Sequence, residues 1–141
     1  MKVTTKGRYG IRALLDVALD ESQNPIPLKA IAERQHIPLN YLERIAAVLV
    51  RAGVLQSTRG PAGGVRLAEA PEDICIGDIV RVLEGSTAPS LCVDDPDSCE
   101  RSDICVMCDI WGEVKEAVDG ILKSLTLQEL VERHRNKLNE M

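Results

Sequence analysis

The 141-residue sequence contains very few aromatic side chains, with one Trp, two Tyr and no Phe. A core without them must be built from Leu, Ile, Val and Ala, a mixture that suits helix packing better than a β-sandwich. No apolar run approaches the roughly 18 residues that cross a bilayer, and the first ten residues contain no apolar segment of the signal-peptide type. These absences favour a mostly helical, cytoplasmic protein without a membrane partner.

Negative charge dominates the chain, with a formal net charge of -5, but it is unevenly distributed. Residues 1–70 contain ten Lys or Arg and six Asp or Glu, whereas residues 71–141 contain seven and sixteen. A basic first half can approach phosphate groups while an acidic second half stays away from them. The asymmetry keeps nucleic acid among the candidate partners.

Hydrophobic periodicity predicts three helices in the first half, from about Lys6 to Leu19, from Leu28 to Gln35 and from Leu39 to Ala52. The residues His36-Ile37-Pro38 predict a short break between the second and third helices, because proline cannot continue the preceding helix. Ala32 is small and leaves room for the two helices to cross. The pattern is typical of a helix-turn-helix.

A β-hairpin is predicted next. Two short runs of strand type, at residues 54–58 and 65–67, flank a glycine-rich turn that has Arg59 near its tip. A short amphipathic helix from Ile76 to Leu83 follows. The expected fold class is therefore mostly α with a small β-hairpin wing, and we expect a winged helix-turn-helix DNA-binding domain over residues 1–83.

The remaining sequence predicts a loop and a dimerisation helix. Glu84 to Asp103 shows no periodicity, which indicates an irregular cysteine-rich loop over residues 84–104. From Cys105 to about Leu125 apolar residues recur every three or four positions, in a chain with little core left to cover them. We expect a two-fold interface there, with a short final helix from Thr126 completing a dimerisation unit over residues 105–141. The candidate interface residues are Met107, Ile110, Trp111, Val114, Val118, Ile121 and Leu122.

The third predicted helix is the candidate reader of double-stranded DNA, since the N-terminal residues of a recognition helix contact base edges in the major groove. Its candidate base contacts are Asn40, Tyr41, Glu43 and Arg44. The candidate phosphate contacts are Lys6, Arg8, Lys29 and Arg51, and Arg59 is placed to enter a narrow minor groove. Each charge alone is more typical of a solvated face, but their joint occurrence on a helix-turn-helix and its wing favours an operator site.

Five cysteines in a reducing compartment favour metal binding or redox chemistry over disulfides. Four of them, Cys92, Cys99, Cys105 and Cys108, have the spacing C-x6-C-x5-C-x2-C. The spacing is compatible with a [2Fe-2S] or [4Fe-4S] cluster, with zinc, with a redox pair formed by Cys105 and Cys108, or with free thiols in a disordered insert. Cys75 lies between two isoleucines and is expected to be a buried apolar side chain.

Several phrases of the sequence resemble the IscR-type regulators of the Rrf family, winged-helix transcription factors that include nitric-oxide and cysteine-metabolism sensors. They are TTKGRYGIRALLDVAL, IAERQHIPLNYLERI, STRGPAGG, the cysteine loop and LTLQELV. The resemblance covers nearly the whole chain and implies a homodimer held by the long helix. It also implies an iron-sulfur cluster, with [2Fe-2S] favoured, whose presence or state changes DNA binding at genes for cluster assembly.

The ligand set departs from that family's pattern, in which three cysteines are joined by a histidine. The resemblance matches Cys92, Cys99 and Cys105 to the three cysteines and places Cys108 at the histidine position. Ligation by thiolates alone should lower the reduction potential and bind a cluster more firmly. Some relatives take an acidic ligand from near the start of the partner subunit, but Arg8 stands at that position here, so that ligand is not expected.

Enzyme activity is not expected, because the sequence offers no nucleophile with its base, phosphate loop or paired carboxylates, and no small-molecule substrate is expected. The leading hypothesis is a transcription regulator that senses cluster or redox status. Two alternatives remain. The first is a transcription regulator whose cysteine loop holds a structural zinc ion or a redox-sensitive thiol-disulfide pair. The second is a small iron-sulfur electron carrier whose basic face docks a protein partner.

Overall fold

The computed structural model describes residues 3–141, which form seven α-helices, two 3₁₀ turns and one two-stranded antiparallel sheet. The helices are α1 (Thr5–Leu19), α2 (Leu28–Gln35), α3 (Leu39–Arg51), α4 (Ile76–Glu84), α5 (Leu91–Asp94), α6 (Val106–Lys123) and α7 (Leu127–Asn139). The strands are β1 (Leu55–Thr58) and β2 (Gly64–Leu67), and the 3₁₀ turns are Pro71–Asp73 and Pro96–Ser98. The mostly helical fold with a hairpin wing is confirmed.

Helices α2 and α3 form the predicted helix-turn-helix. His36 ends α2 in the left-handed conformation, with φ 54°, and Pro38 precedes the first residue of α3. The turn residue Ile37 is buried, as are Ile31 of α2 and Leu42 of α3. The apolar spacing seen in the sequence therefore closes the two helices onto a shared core.

The wing is attached to the helical body through a third segment. Leu55 pairs with Leu67 at the base of the hairpin, and Ile26 pairs with Val65 through two backbone hydrogen bonds of 2.8 and 2.9 Å. A Cβ on Gly64 would overlap the backbone carbonyl of Ile26, so the close approach of the two segments requires glycine. The position of the wing is thus fixed relative to α2.

The second half of the chain packs back onto α1. Helix α4 lies against α1, where a Cβ on Gly10 would overlap the side chain of Leu83. Helix α6 lies along α4 and α5, and α7 returns to α1 with Leu127 and Val131 buried. Within residues 3–141, no helix combines the length and the apolar character needed to cross a membrane.

Three details differ from the sequence-based expectations. The stretch expected to be irregular contains the helical turn α5 and a 3₁₀ turn, and α4 extends into it as far as Glu84. The final helix, which was expected to be short, extends over 13 residues, and Thr126 caps its first turn. Cys75 is half-buried rather than buried, with its Sγ 3.6 Å from the carbonyl oxygen of Lys123.

Candidate DNA-binding face and cysteine loop

The first turns of α3 present polar side chains to solvent. Asn40, Glu43 and Arg44 are exposed. The opposite side of the helix is anchored by Leu42 and Ile45, each only 1% exposed. A recognition helix needs this division, since its apolar side holds the helix in place while its polar side remains free to meet base edges.

Tyr41 is half-buried and packs against α1. Its ring lies edge-to-face with that of Tyr9, with the ring centroids 5.7 Å apart. The guanidinium of Arg44 lies 5.8 Å from the Tyr41 ring centroid, and that of Arg12 lies 5.6 Å from the Tyr9 centroid. Each tyrosine of this pair therefore also makes a cation–π contact with the arginine three residues after it on its own helix.

The sequence analysis did not identify Tyr9 and Arg12 as residues of α1 that contribute to the aromatic contact with α3. The only available signal was their spacing of three residues, which brings side chains together on a helix and recurs in Tyr41 and Arg44. The contact between the two tyrosines could not be predicted, because it depends on how α1 and α3 cross.

The candidate phosphate-binding cations lie on α1, α2, α3 and the wing. Arg8, Lys29, Arg51 and Arg59 are exposed, and Lys6 is half-buried. Arg8 donates a 3.3 Å hydrogen bond to the hydroxyl of Thr5. Arg51 lies at the end of α3, about 16 Å along the helix from Asn40 at 1.5 Å per residue. Arg59 follows β1 directly, at the start of the wing turn.

The structure brings two of the four candidate ligands together. The Sγ of Cys108, in the first turn of α6, lies 3.7 Å from the carbonyl oxygen of Cys92 in α5. Cys105 is the N-cap of α6, and Cys99 is exposed after the second 3₁₀ turn. Within residues 3–141, no group of three or more Cys, His, Asp or Glu side chains converges in a metal-binding arrangement.

The adjacent thiols have different acidities. A hydrogen bond from the Ser90 hydroxyl, with the oxygen 3.4 Å from the sulfur, lowers the pKa of Cys92, and a hydrogen bond from Cys108 lowers it further. The hydrogen bond to Cys92, followed by desolvation and nearby negative charge, raises the pKa of Cys108 to about 11. Cys92 is therefore the thiol of this pair that ionises more readily.

The start of the cysteine loop (residues 84–104) is fastened to α6. Thr87 is buried and donates a hydrogen bond to the carboxylate of Asp119. Lys115, one helical turn earlier, places its Nζ 2.7 Å from the other oxygen of that carboxylate. These contacts were not foreseen, because Thr87 and Asp119 lie 32 residues apart.

Helix α6 has no buried residue in this chain. Ile121 is 63% exposed and Ile110 is 43% exposed, so one edge of the apolar stripe faces solvent. Leu122 lies on the other edge and packs against the chain's own core. Met107 is also exposed, and the remaining candidate interface residues, Trp111, Val114 and Val118, are half-buried.

Comparisons with known proteins agree with this geometry. A family profile described as "Rrf2: Iron-dependent Transcriptional regulator" matches residues 3–133. The chain is 44% identical to the protein rrf2 of Nitratidesulfovibrio vulgaris (strain Hildenborough) over 131 residues, which are 93% of this chain and 87% of that protein.

Two solved structures share the fold. IscR of T. potens superposes with a TM-score of 0.78 at 40% identity, over 95% of this chain and 88% of that chain. The oxidised form of CymR of Staphylococcus aureus gives a TM-score of 0.77 at 36% identity, over 94% of this chain and 97% of that one. The present protein is accordingly a DNA-binding winged-helix transcription regulator and not an enzyme. By its sequence and its fold, the chain belongs to the Rrf2 family.

Proposed function

We propose that this regulator is a cytosolic homodimer that binds an iron-sulfur cluster through Cys92, Cys99, Cys105 and Cys108, and that the state of the cluster changes its affinity for operator DNA. The observation that carries the proposal is the position of these thiols. They lie on the loop and at the start of α6, where the loop is joined to both the winged-helix body and the long exposed helix. A ligand at this point is connected to both elements.

The chemistry of the four side chains fits the cluster, since thiolates are the usual ligands of iron-sulfur centres. Cys92 and Cys108 already lie side by side, and Cys105 is three residues from Cys108 at the same helix end. The exposed Cys99 must be drawn inward, so ligation would order the acidic loop around it. When bound, the cluster supplies a redox-active centre whose charge depends on its oxidation state. We favour [2Fe-2S], with [4Fe-4S] and zinc as outcomes that metal analysis separates.

The exposed edge of α6 supports a second copy of the chain as the dimer partner. Ile110 and Ile121 are apolar residues on an 18-residue helix that the chain's own core does not cover. For the two α3 helices of such a dimer to enter successive major grooves, the interface must hold them about 34–36 Å apart. Asn40 and Arg44 would then read base edges, with Lys29 and Arg59 holding the DNA backbone and minor groove.

Anaerobic reconstitution with iron and sulfide tests the ligand set. The wild-type protein should bind iron and sulfide in equal amounts and develop visible charge-transfer absorption. Cys92→Ser and Cys99→Ser should lose both, whereas Cys75→Ser should keep both because its sulfur lies against α6 carbonyls outside the set. Wild-type protein that binds zinc but not iron, or a Cys75→Ser variant as defective as Cys92→Ser, would refute the proposal.

A second candidate function is a thiol switch without metal. The contact between Cys108 and Cys92 favours these two residues as the pair, in place of the Cys105–Cys108 pair suggested by sequence spacing. Hydrogen peroxide would oxidise the two thiols to one disulfide and be reduced to two molecules of water. Mass spectrometry of peroxide-treated, metal-free protein should then find a Cys92–Cys108 disulfide. DNA affinity should change when this disulfide forms and should return to its starting value on reduction. The finding of no disulfide, or of one without effect on DNA affinity, would reject this candidate.

A further inference from the structure

The last residue of α4 caps the first helix of the chain. One oxygen of Glu84 accepts a hydrogen bond of 2.9 Å from the backbone N–H of Thr4 and one of 2.7 Å from its hydroxyl. Thr4 is the N-cap of α1, and its hydroxyl oxygen accepts in turn from the N–H of Gly7. A carboxylate at a helix N-terminus satisfies free N–H groups and interacts favourably with the helix dipole.

The sequence leaves space for this contact at Gly7. A Cβ there would overlap the carboxylate of Glu84, so any other residue would push Glu84 away from Thr4. Two turns of α1 are thus shaped to accept α4, since Gly10 makes room for Leu83 in the same way. The fit of both glycines to neighbouring residues of α4 makes the contact specific to this arrangement of the two helices.

Glu84 also stands at the entrance of the cysteine loop. Gly85 follows it with φ 78°, a conformation that favours glycine, and turns the chain out of α4. Two residues later, buried Thr87 is hydrogen bonded to Asp119 of α6. The four-residue segment 84–87 therefore contacts the N-cap of α1 at its first residue and helix α6 at its last.

We propose that Glu84 is a positioning residue for DNA binding, which sets the first turn of α1 according to how the cysteine loop and α6 are arranged. That turn contains Lys6 and Arg8, the two candidate phosphate contacts of α1. A shift of the loop displaces Thr87, and through Gly85 it displaces the carboxylate that holds Thr4. The inference rests on the proposed function, because it assigns a route from the loop to the DNA-binding face.

A cap without a positioning role would have a different signature. It would lower thermal stability and weaken DNA binding equally whether or not the loop is ligated. Loss of a positioning residue instead changes the ratio of the operator affinities of cluster-loaded and cluster-free protein. It also changes the salt dependence of binding, because phosphate contacts are gained or lost with the position of the first turn of α1.

Three variants of the full-length protein separate these cases. Glu84→Gln keeps the size and removes the charge, Glu84→Ala removes the cap, and Gly7→Ala displaces Glu84 from the opposite side. Glu69→Gln, an exposed carboxylate beyond the wing, is the control for the change in net charge. All four should bind iron and sulfide as the wild-type protein does.

Amide hydrogen exchange in metal-free protein tests the contact independently of any cluster. Exchange at Thr4, Gly7 and Arg8 should accelerate about fivefold in Glu84→Ala, in line with the loss of a helix cap. Asp119→Ala should accelerate the same amides, and the double variant should show non-additive effects because both residues act through one segment. Unchanged exchange in Glu84→Ala, or strict additivity with Asp119→Ala, would overturn the inference.

Operator binding then tests the consequence. In Glu84→Ala and Gly7→Ala, the ratio of the operator affinities of cluster-loaded and cluster-free protein should move toward one. The slope of log affinity against log salt concentration should become shallower by up to about two, as expected for the loss of two phosphate contacts. If the wild-type protein shows an affinity ratio different from one, and the variants show the same affinity ratio and salt slope as the wild type, the role of Glu84 is overturned but the cluster response is not. A wild-type ratio of one would instead remove the proposed cluster response, while the exchange result would still decide the contact.

Discussion

Arg34 of α2 forms a two-point ion pair with Asp16 of α1. Its Nη2 lies 2.6 Å from one carboxylate oxygen and its Nε lies 3.1 Å from the other. The Asp16 side chain is only 5% exposed, and Gln35 donates a third hydrogen bond to it. The hydrogen bond with Asp16 raises the pKa of Arg34 above its usual value. The pair therefore fastens the helix-turn-helix to α1.

Replacing Asp16 by Asn should destabilise the protein, because an amide group would then face the donors of Arg34 and Gln35. We expect the free energy of unfolding to fall by about 1–3 kcal/mol, less than for a fully buried pair because the Arg34 side chain is 52% exposed. Urea unfolding measures the change. Asp78→Asn is the matched control, since its carboxylate is 64% exposed and should change stability by less than about 0.5 kcal/mol. Equal losses in the two variants would contradict this role.

Arg44 and Lys29 should affect DNA binding in different ways. Arg44→Ala removes an exposed guanidinium that lies over the Tyr41 ring and that we propose as a base contact, so discrimination between operator and mismatched DNA should fall by about 1–3 kcal/mol. Arg59→Ala should likewise reduce sequence preference at the wing. Lys29→Ala should weaken binding to all sequences and lower the salt slope by about one. Titrations of both DNAs at several salt concentrations would refute these assignments if all three variants behaved like wild type.

Ile121 offers a test of the proposed dimer interface. Ile121→Lys should convert the protein to a monomer in sedimentation velocity experiments, because a charge would lie on the exposed apolar edge of α6. Its helix should remain folded, since the residue is already 63% exposed. Leu138→Lys on α7 is the control, with a side chain of similar exposure at 55%. A dimer that survives Ile121→Lys, or is lost in both variants, would contradict the assignment of this edge.

Asp119 should contribute to acid unfolding. Hydrogen bonds from Lys115 and Thr87 lower the pKa of Asp119 below its ordinary 3.8. The stability from its carboxylate is complete above the unfolded pKa and is lost as the pH falls through the lower folded value. Asp119→Asn should thus lower stability at neutral pH and flatten its decline below about pH 4. Urea unfolding at successive pH values checks this, with Asp97→Asn on the exposed loop as control; parallel curves for Asp119→Asn and wild type would oppose it.

The elements that sequence predicted well are those fixed by local patterns. The helix-turn-helix follows from apolar spacing and Pro38, and the wing follows from two alternating runs around a glycine-rich turn. The long helix was predicted from its apolar stripe and runs from Val106 to Lys123. Each pattern reflects a 3.6- or 2-residue period that needs no distant partner.

The contacts that sequence could not predict join residues far apart in the chain. Glu84 meets Thr4 across 80 residues, and Thr87 meets Asp119 across 32. Neither pair has a local signature, because each depends on how α4 and α6 pack. Asp16 did carry a signal, since a carboxylate on the apolar side of a helix must find partners. The ligand set and the base contacts remain predictions.

The most direct test of the account is operator affinity measured anaerobically with the same protein in its cluster-loaded and cluster-free forms. Fluorescence anisotropy should be run on fragments selected from random DNA by each form, with Cys75→Ser as the variant that keeps the cluster and Cys99→Ser as the one that loses it. We predict affinities that differ by about 5- to 150-fold on at least one class of fragment, with Cys99→Ser behaving as the cluster-free form under all conditions. Identical affinities of the two forms for every fragment would contradict the account.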